Sequence, residues 1–208
     1  MQKLTLFAQS LLIGFSIAAP VGPIGLLTIQ RSLQLGARAG LATGLGAAVA
    51  DAVYGAVGAF GVAWLIQTLT ALRLPLALLG GGYLLWMAVG LIRAPQAQDA
   101  AAAAGVRAGY WRYFSGTFLL TLANPSTIFS FIAIFGSMAG ASNVVSPWTM
   151  VLGVWVGSAL WWFLLSGMVG LLRERFDTLW RRRISLISAT VLIGFAVWQL
   201  VLALRVDG

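Results

Sequence analysis

The sequence predicts an all-α polytopic membrane protein with six transmembrane helices, arranged as two inverted three-helix repeats. Two observations predict this fold class. Hydrophobic residues make up 60% of the 208 positions and charged residues only 9%, whereas soluble domains are about half apolar and about a quarter charged. Each half of the chain also places a proline inside an apolar segment, and repeats with broken helices are typical of secondary transporters.

Six segments are long and apolar enough to cross a bilayer, which takes about 20 residues. The first continues to Ile29, too far for the apolar part of a cleaved signal peptide, so we interpret it as a span. Polar residues from Gln30 to Arg38, Arg31 among them, separate it from the second. The predicted spans are residues 4–29, 39–66, 72–93, 113–138, 147–172 and 184–205.

A single membrane domain, residues 1–208, accounts for the whole chain. The first repeat takes residues 1–93 and the second takes residues 113–208. Residues 94–112 form a cytoplasmic linker, and its alanine-rich part favours partial helix.

Basic residues predict the orientation, because they concentrate in cytoplasmic loops. Ten of the 13 Lys and Arg residues follow spans one, three and five, and three lie on the other side. Both termini are therefore predicted to lie on the outer side of the membrane. The net charge of +8 fits this topology and contact with lipid headgroups rather than with nucleic acid.

The two halves align weakly after each proline. Residues 46–54, GAAVADAVY, correspond to residues 153–161, GVWVGSALW. Asp51 thus falls opposite Ser158, and Tyr54 opposite Trp161. Because each half holds three spans, the second half must lie upside down relative to the first.

Residues 19–25, APVGPIG, interrupt the first span. Pro20 and Pro23 lack an N–H and each remove a helical hydrogen bond, while Gly22 and Gly25 let the backbone distort. Unpaired backbone groups in hydrocarbon cost on the order of several kcal/mol, so such a break faces protein or a water-filled cavity. A packing kink is the alternative, and the two closely spaced prolines favour the cavity.

Asp51 lies 12 residues into the second span, about 18 Å from its start and near mid-bilayer. A carboxylate there costs about 2.5–3.5 kcal/mol on insertion scales and usually marks a substrate or proton path. A protonated structural aspartate is the alternative. Tyr54 lies one turn away, and its hydroxyl is predicted to hydrogen-bond this carboxyl.

Asn124, Pro125 and Ser158 lie at similar depth in spans four and five. Proline frees a carbonyl and the Asn124 amide both donates and accepts. Ser158 follows Gly157 and is explained equally well by small-residue helix packing. Together these residues and the first break indicate one midplane site.

A zwitterionic amino acid fits this site. Asp51 would bind its ammonium group, and backbone N–H groups at Gly22 and Gly25 would bind its carboxylate. No Lys or Arg lies at that depth in the sequence. Proton uptake by Asp51 would couple release to a gradient, as antiport.

These residues resemble the LysE/RhtB family of amino-acid exporters. The similarity is carried by PVGPIGLLTIQRSLQLGARAGLATGLGAAVADAVYG, LANPSTIFSFIAIF and GVWVGSALWW. The resemblance implies six spans, ion-gradient coupling, and export of amino acids or related metabolites across the bacterial inner membrane, with both termini then periplasmic. It also implies site roles for Pro20, Gly22, Pro23, Asp51, Asn124, Pro125, Gly157 and Ser158. Many members have Lys after Asn-Pro, where this chain has Ser126, so a lysine-dependent step is not implied.

Other functions fit less well. The chain has no Cys and no His, which excludes thiol and imidazole catalysis and argues against a soft-metal site. We predict no enzyme activity, no metal and no cofactor. Transport of another small solute or a cation, or a channel-like subunit, stay open as alternatives. Small residues around Gly58 pack spans within one chain or across a homodimer.

Overall fold

A computed structural model describes residues 2–20, 22–60, 73–93, 99–124, 127–128, 130–131, 146–175 and 178–205. These residues are almost entirely helical. In chain order the helices are α1 (Gln2–Ala18), α2 (Pro23–Leu35), α3 (Ala37–Ala59), α4 (Arg73–Arg93), α5 (Asp99–Leu122), α6 (Pro147–Leu172) and α7 (Thr178–Arg205). A short 3-10 turn, Arg173–Arg175, follows α6. The all-helical prediction is confirmed for this part of the chain.

The first predicted span is two helices rather than one kinked helix. α1 ends at Ala18, α2 begins at Pro23, and their axes differ by 78°. Pro23 occupies the first helical position of α2, where its missing N–H costs nothing and its fixed φ suits the helix. The polar residues Gln30 and Arg31, predicted to separate two spans, lie inside α2.

A glycine turn reverses the chain after α2. Gly36 has φ 94°, a left-handed conformation that favours glycine. Its N–H donates to the Ser32 carbonyl at 3.1 Å, and α3 begins at the next residue. We refer to this end of the helix bundle as the Gly36 end.

α5 is longer on its N-terminal side than predicted. It begins at Asp99, inside the predicted linker, and ends at Leu122, well before the predicted end of span four. The sequence DAAAAAG has high helix propensity, which explains why residues 99–112 continue into the apolar helix. The division of the chain into repeats and linker stays a prediction.

Two of the described helices, α3 and α6, are individually long and apolar enough to cross a membrane. The bent pair of α1 and α2 makes a third candidate when counted as one broken span. The described residues therefore support a helical membrane protein with two or three candidate spans. The six-span inverted repeat stays a prediction.

α3 and α6 form the centre of the bundle and pack against each other. α6 also packs along α1, α3 along α5, and α4 along α7. Glycines allow the close approaches. A Cβ added at Gly46 on α3 would overlap the Phe114 carbonyl on α5, and one at Gly153 on α6 would lie 2.8 Å from the Phe7 carbonyl on α1.

Gly153→Ala is expected to destabilise the protein because the new methyl group meets the backbone of α1, where little can move. Overpacking of this kind costs about 1–3 kcal/mol. The measurement is the thermal unfolding temperature of purified protein in detergent, which should fall.

Gly167→Ala is the matched control on the same helix, since a Cβ there meets no atom within 4 Å. Its unfolding temperature should stay unchanged or rise, as for Gly→Ala in open helix positions. Equal unfolding temperatures for the two variants would contradict the close approach of α1 and α6.

Candidate functional site

The two helix breaks face a common cavity of about 280 Å³. This volume is close to the lower limit of small-molecule sites, about 300 Å³. Its wall includes residues from α1, α2, α3, α5, α6 and α7. Six of the residues predicted from the sequence line it: Pro20, Gly22, Pro23, Gly25, Asp51 and Asn124.

Asp51 is buried, with 3% of its surface exposed, and reaches the cavity from α3. The hydroxyl of Ser158 donates to its Oδ2 at 2.7 Å. The indole Nε1 of Trp162 donates to the Ser158 hydroxyl at 3.1 Å, so three side chains on α3 and α6 form one hydrogen-bonded chain. None of the described Lys or Arg side chains forms an ion pair with Asp51, so the carboxyl group is held by a neutral partner beside open space.

The first break supplies backbone donors to the cavity at one of the two predicted positions, Gly25, and not at the other, Gly22. The N–H of Gly22 was predicted to be free, but it donates to the Pro20 carbonyl at 2.9 Å. Ile24 and Gly25 lie in the first turn of α2 and line the cavity. N–H groups in a first turn have no acceptor within the helix, and no side chain caps this one. The positive end of α2 therefore points at the cavity.

The second break lies where α5 ends at Leu122. Asn124 follows in a turn, and Thr127 and Ile128 both donate backbone N–H groups to its carbonyl, at 3.1 and 3.2 Å. Pro125 lies outside the described residues. Thr127 and Ser130 after the break also line the cavity.

Tyr54 does not hydrogen-bond Asp51, and that prediction was wrong. Its hydroxyl donates to the Leu122 carbonyl at 2.7 Å, and its ring stacks on Phe131. Leu122 is the last residue of α5, and its carbonyl has lost its helical partner. Tyr54 thus stabilises the edge of the second break and is not among the residues that line the cavity.

The cavity is also lined by residues that were not predicted from the sequence, among them Thr121, Trp162 and Phe195. Thr121 precedes Asn124 by one turn, and Trp162 follows Ser158 by one turn, so helical spacing from the predicted residues could have found both. Phe195 comes from α7, and no sequence signal places it here.

The chain matches the LysE type translocator family over residues 15–203. Over 206 residues it is 24% identical to the arginine exporter protein ArgO of Klebsiella pneumoniae, covering 98% of this chain and 95% of ArgO. It is 27% identical to the chemotactic transduction protein ChpE of Pseudomonas aeruginosa, covering 93% of this chain and 96% of ChpE. With the uncharacterized membrane protein YahN of Escherichia coli it is 33% identical, over 67% of this chain and 64% of YahN.

No solved structure matches the chain. The family match spans most of the sequence, confirms the resemblance seen in the proline, aspartate and Asn-Pro motifs, and confirms that the protein is no enzyme, since the family consists of translocators. The chain belongs to the LysE type translocator family.

Proposed function

We propose that the protein is a secondary-active exporter that moves amino acids, or related small zwitterionic metabolites, across the bacterial inner membrane. The observation that carries this proposal is the Asp51 carboxyl group on a cavity bounded by two helix breaks. Buried acids inside a membrane bundle usually lie on substrate or proton paths. The relative ArgO is an arginine exporter protein, which is consistent with an amino-acid cargo.

The cavity has complementary partners for both charges of a zwitterion. Asp51 accepts the ammonium group, since its one recorded hydrogen bond within the described residues uses Oδ2 alone. The first turn of α2 around Gly25 attracts the carboxylate through backbone N–H groups and the helix dipole. The Asn124 side chain supplies a further polar contact.

An inverted repeat is part of this proposal, and three contacts support it. Asp51 and Ser158 are equivalent positions in the two halves and hydrogen-bond each other. In a two-fold arrangement, equivalent residues that touch lie on the axis. Gly46 and Gly153 are also equivalent, and each packs against the first helix of the other half.

The third contact involves the pair of aromatic residues that the alignment matched. Tyr54 reaches the end of α5 at the second break, and the Trp161 ring meets the Phe15 ring on α1, just before the first break, at 5.3 Å between centroids. Each half thus places an aromatic residue against the break of the other. Such symmetry lets two opposite states exchange access to one site.

Proton coupling by Asp51 completes the proposed mechanism. In one state the ionised carboxyl group binds the cargo, and in the other it takes up a proton as the cargo leaves. Cargo binding and protonation then exclude each other at one side chain, which couples export to proton influx as antiport. The pairing of Asp51 with a neutral serine supports this role, because none of the cations that the structure describes holds it ionised.

The proposed topology places both termini in the periplasm. Arg38 lies in the first turn of α3, and Arg173 donates to the Gln34 carbonyl at 3.0 Å, so both lie at the Gly36 end. This end is the cytoplasmic one by the positive-inside rule. A homodimer belongs to the proposal as an assembly state, and saturable counterflow would distinguish a carrier from a channel-like subunit.

Asp51→Asn is expected to abolish gradient-driven amino-acid flux, because the amide neither binds an ammonium group as strongly nor exchanges a proton. Loss of a charged hydrogen bond predicts a decrease of roughly tenfold or more. The measurement is uptake of radiolabelled amino acids into proteoliposomes under an imposed pH gradient, with each standard amino acid tested in turn.

Ser158→Ala is the graded comparison, since it removes the hydroxyl donor and keeps the carboxyl group. Its flux should fall by only about two- to tenfold, as for a neutral hydrogen bond. Unchanged gradient-driven flux in Asp51→Asn would refute the coupling role.

The topology is tested with single cysteines, since the natural chain has none. Trp148 is exposed at the start of α6 and contacts Phe60 at the end of α3, so it marks the end opposite to Gly36. Trp148→Cys should react with a membrane-impermeant maleimide in intact cells. Arg38→Cys should react only after permeabilisation, and the reverse pattern would overturn the proposed orientation.

A further inference from the structure

The Arg31 side chain extends from α2 into the helix bundle, between α3 and α5. It is half-buried, and Nη1 donates to the hydroxyls of Thr43 on α3, at 2.9 Å, and Thr117 on α5, at 3.3 Å. The guanidinium also lies over the Tyr113 ring, 4.6 Å from its centroid. The sequence placed Arg31 in a loop, and the structure instead places it between three helices.

No carboxylate among the described side chains pairs with Arg31. The titratable groups that act on it are Tyr83, Tyr113 and the like-charged Arg112. Removing a guanidinium from water without an anionic partner is unfavourable. The two hydrogen bonds to threonine use one nitrogen of a group that has five N–H donors. The Tyr83 side chain is a further hydrogen-bond partner, and the remaining N–H groups are free to bind a carboxylate.

A polar strip joins Arg31 to the cavity. Thr117 and Thr121 on α5, and Asn124 just after its end, follow at helical spacing and are all buried. The Thr121 hydroxyl donates to the Thr117 carbonyl at 2.8 Å. Thr121 and Asn124 line the cavity. The hydroxyl that binds Arg31 thus lies one helical turn from the cavity wall.

The opposite wall of this strip is on α3. Thr43, Ala47 and Asp51 are spaced by four residues and share one face. Ala47 and Asp51 line the cavity, while Thr43 binds Arg31. Eight residues separate Thr43 from Asp51, which corresponds to about 12 Å along the helix.

We propose that Arg31 binds the carboxylate group of the cargo on the Gly36 side, before the cargo enters the cavity. This inference rests on the proposed function. An α-amino acid carries both charged groups on one carbon and is too short to contact Arg31 and Asp51 together over this distance. The carboxylate therefore binds Arg31 first, and the ammonium group reaches Asp51 in a second step.

The Arg31 site has no charged counterpart in the corresponding stretch of the second half of the chain. Residues 125–145, which follow the second break as α2 follows the first, contain no Asp, Glu, Lys or Arg. A cationic binding site for the cargo carboxylate is thus a feature of the Gly36 side. Removal of the Arg31 charge should weaken cargo binding from that side alone.

The test compares each standard amino acid with its α-amide, which lacks the negative charge and differs little in shape. Flux is measured in proteoliposomes of protein that carries Trp148→Cys in every case, the one here called wild type included, and whose orientation is selected by maleimide capture of that cysteine from one side. For the wild-type protein, the KM of the acid presented from the Gly36 side should be lower than that of the amide. Arg31→Gln should raise the KM of the acid roughly ten- to a hundredfold from that side, with little change in kcat.

Three comparisons separate the outcomes. Arg31→Gln should leave the KM of the amide unchanged, which also shows that the variant is folded, and should leave the KM of the acid from the other side unchanged. Arg31→Lys, which keeps the charge and loses the fork, should fall between wild type and Arg31→Gln. Arg38→Gln, an exposed arginine at the same end, should behave as wild type.

An unaltered preference for acid over amide in Arg31→Gln would overturn the inference while the proposed function stands. An equal rise in the KM of acid and amide would also overturn it, because it would indicate a structural role. If the wild-type protein moves no amino acid, the proposed function fails and the inference fails with it.

Discussion

The hydrogen bond from Ser158 to Asp51 joins the two central helices of the bundle at the position where both helix breaks meet. A carboxyl group in hydrocarbon needs a partner and polar surroundings. The hydroxyl of Ser158, itself held by Trp162, provides the partner, and the cavity provides the surroundings. This hydrogen bond fixes the position of α3 along α6, and the other helices pack around this central pair.

Small residues make this packing possible. Gly46 and Gly153 let α5 and α1 approach to backbone distance, and the two breaks then line one cavity together with Asp51. The breaks are stable because their freed backbone groups find partners, as the Leu122 carbonyl does in the Tyr54 hydroxyl. Polar backbone in a membrane protein is tolerated where protein or a cavity covers it. The helix breaks at the cavity thus depend on the tightly packed helices that cover them.

The features that could be predicted from the sequence are those that follow from the rise per residue of a helix and from the effect of proline on helical hydrogen bonds. Pro20, Asp51 and Asn124 were brought to one depth by counting residues, and they line one cavity. The hydrogen-bond partners of long side chains could not be predicted in this way. Arg31 and Tyr54 find their partners across helix pairs, and which helices are neighbours depends on tertiary packing. The start of α5 was also missed, because an alanine-rich stretch fits a linker as well as a helix.

The two glycine contacts have a mechanical consequence. They hold the first helix of each half of the chain against the second helix of the other half, so the two halves are interleaved. The halves therefore cannot separate as rigid units without breaking this backbone-to-backbone packing. α2 is fastened differently. Its links to α7 are hydrogen bonds between side chains, from Gln30 and Gln34 to Ser185 at 3.4 and 3.0 Å, and it joins α1 at a sharp bend. Any motion of α2 about that bend therefore breaks these bonds and those of Arg31 to Thr43 and Thr117.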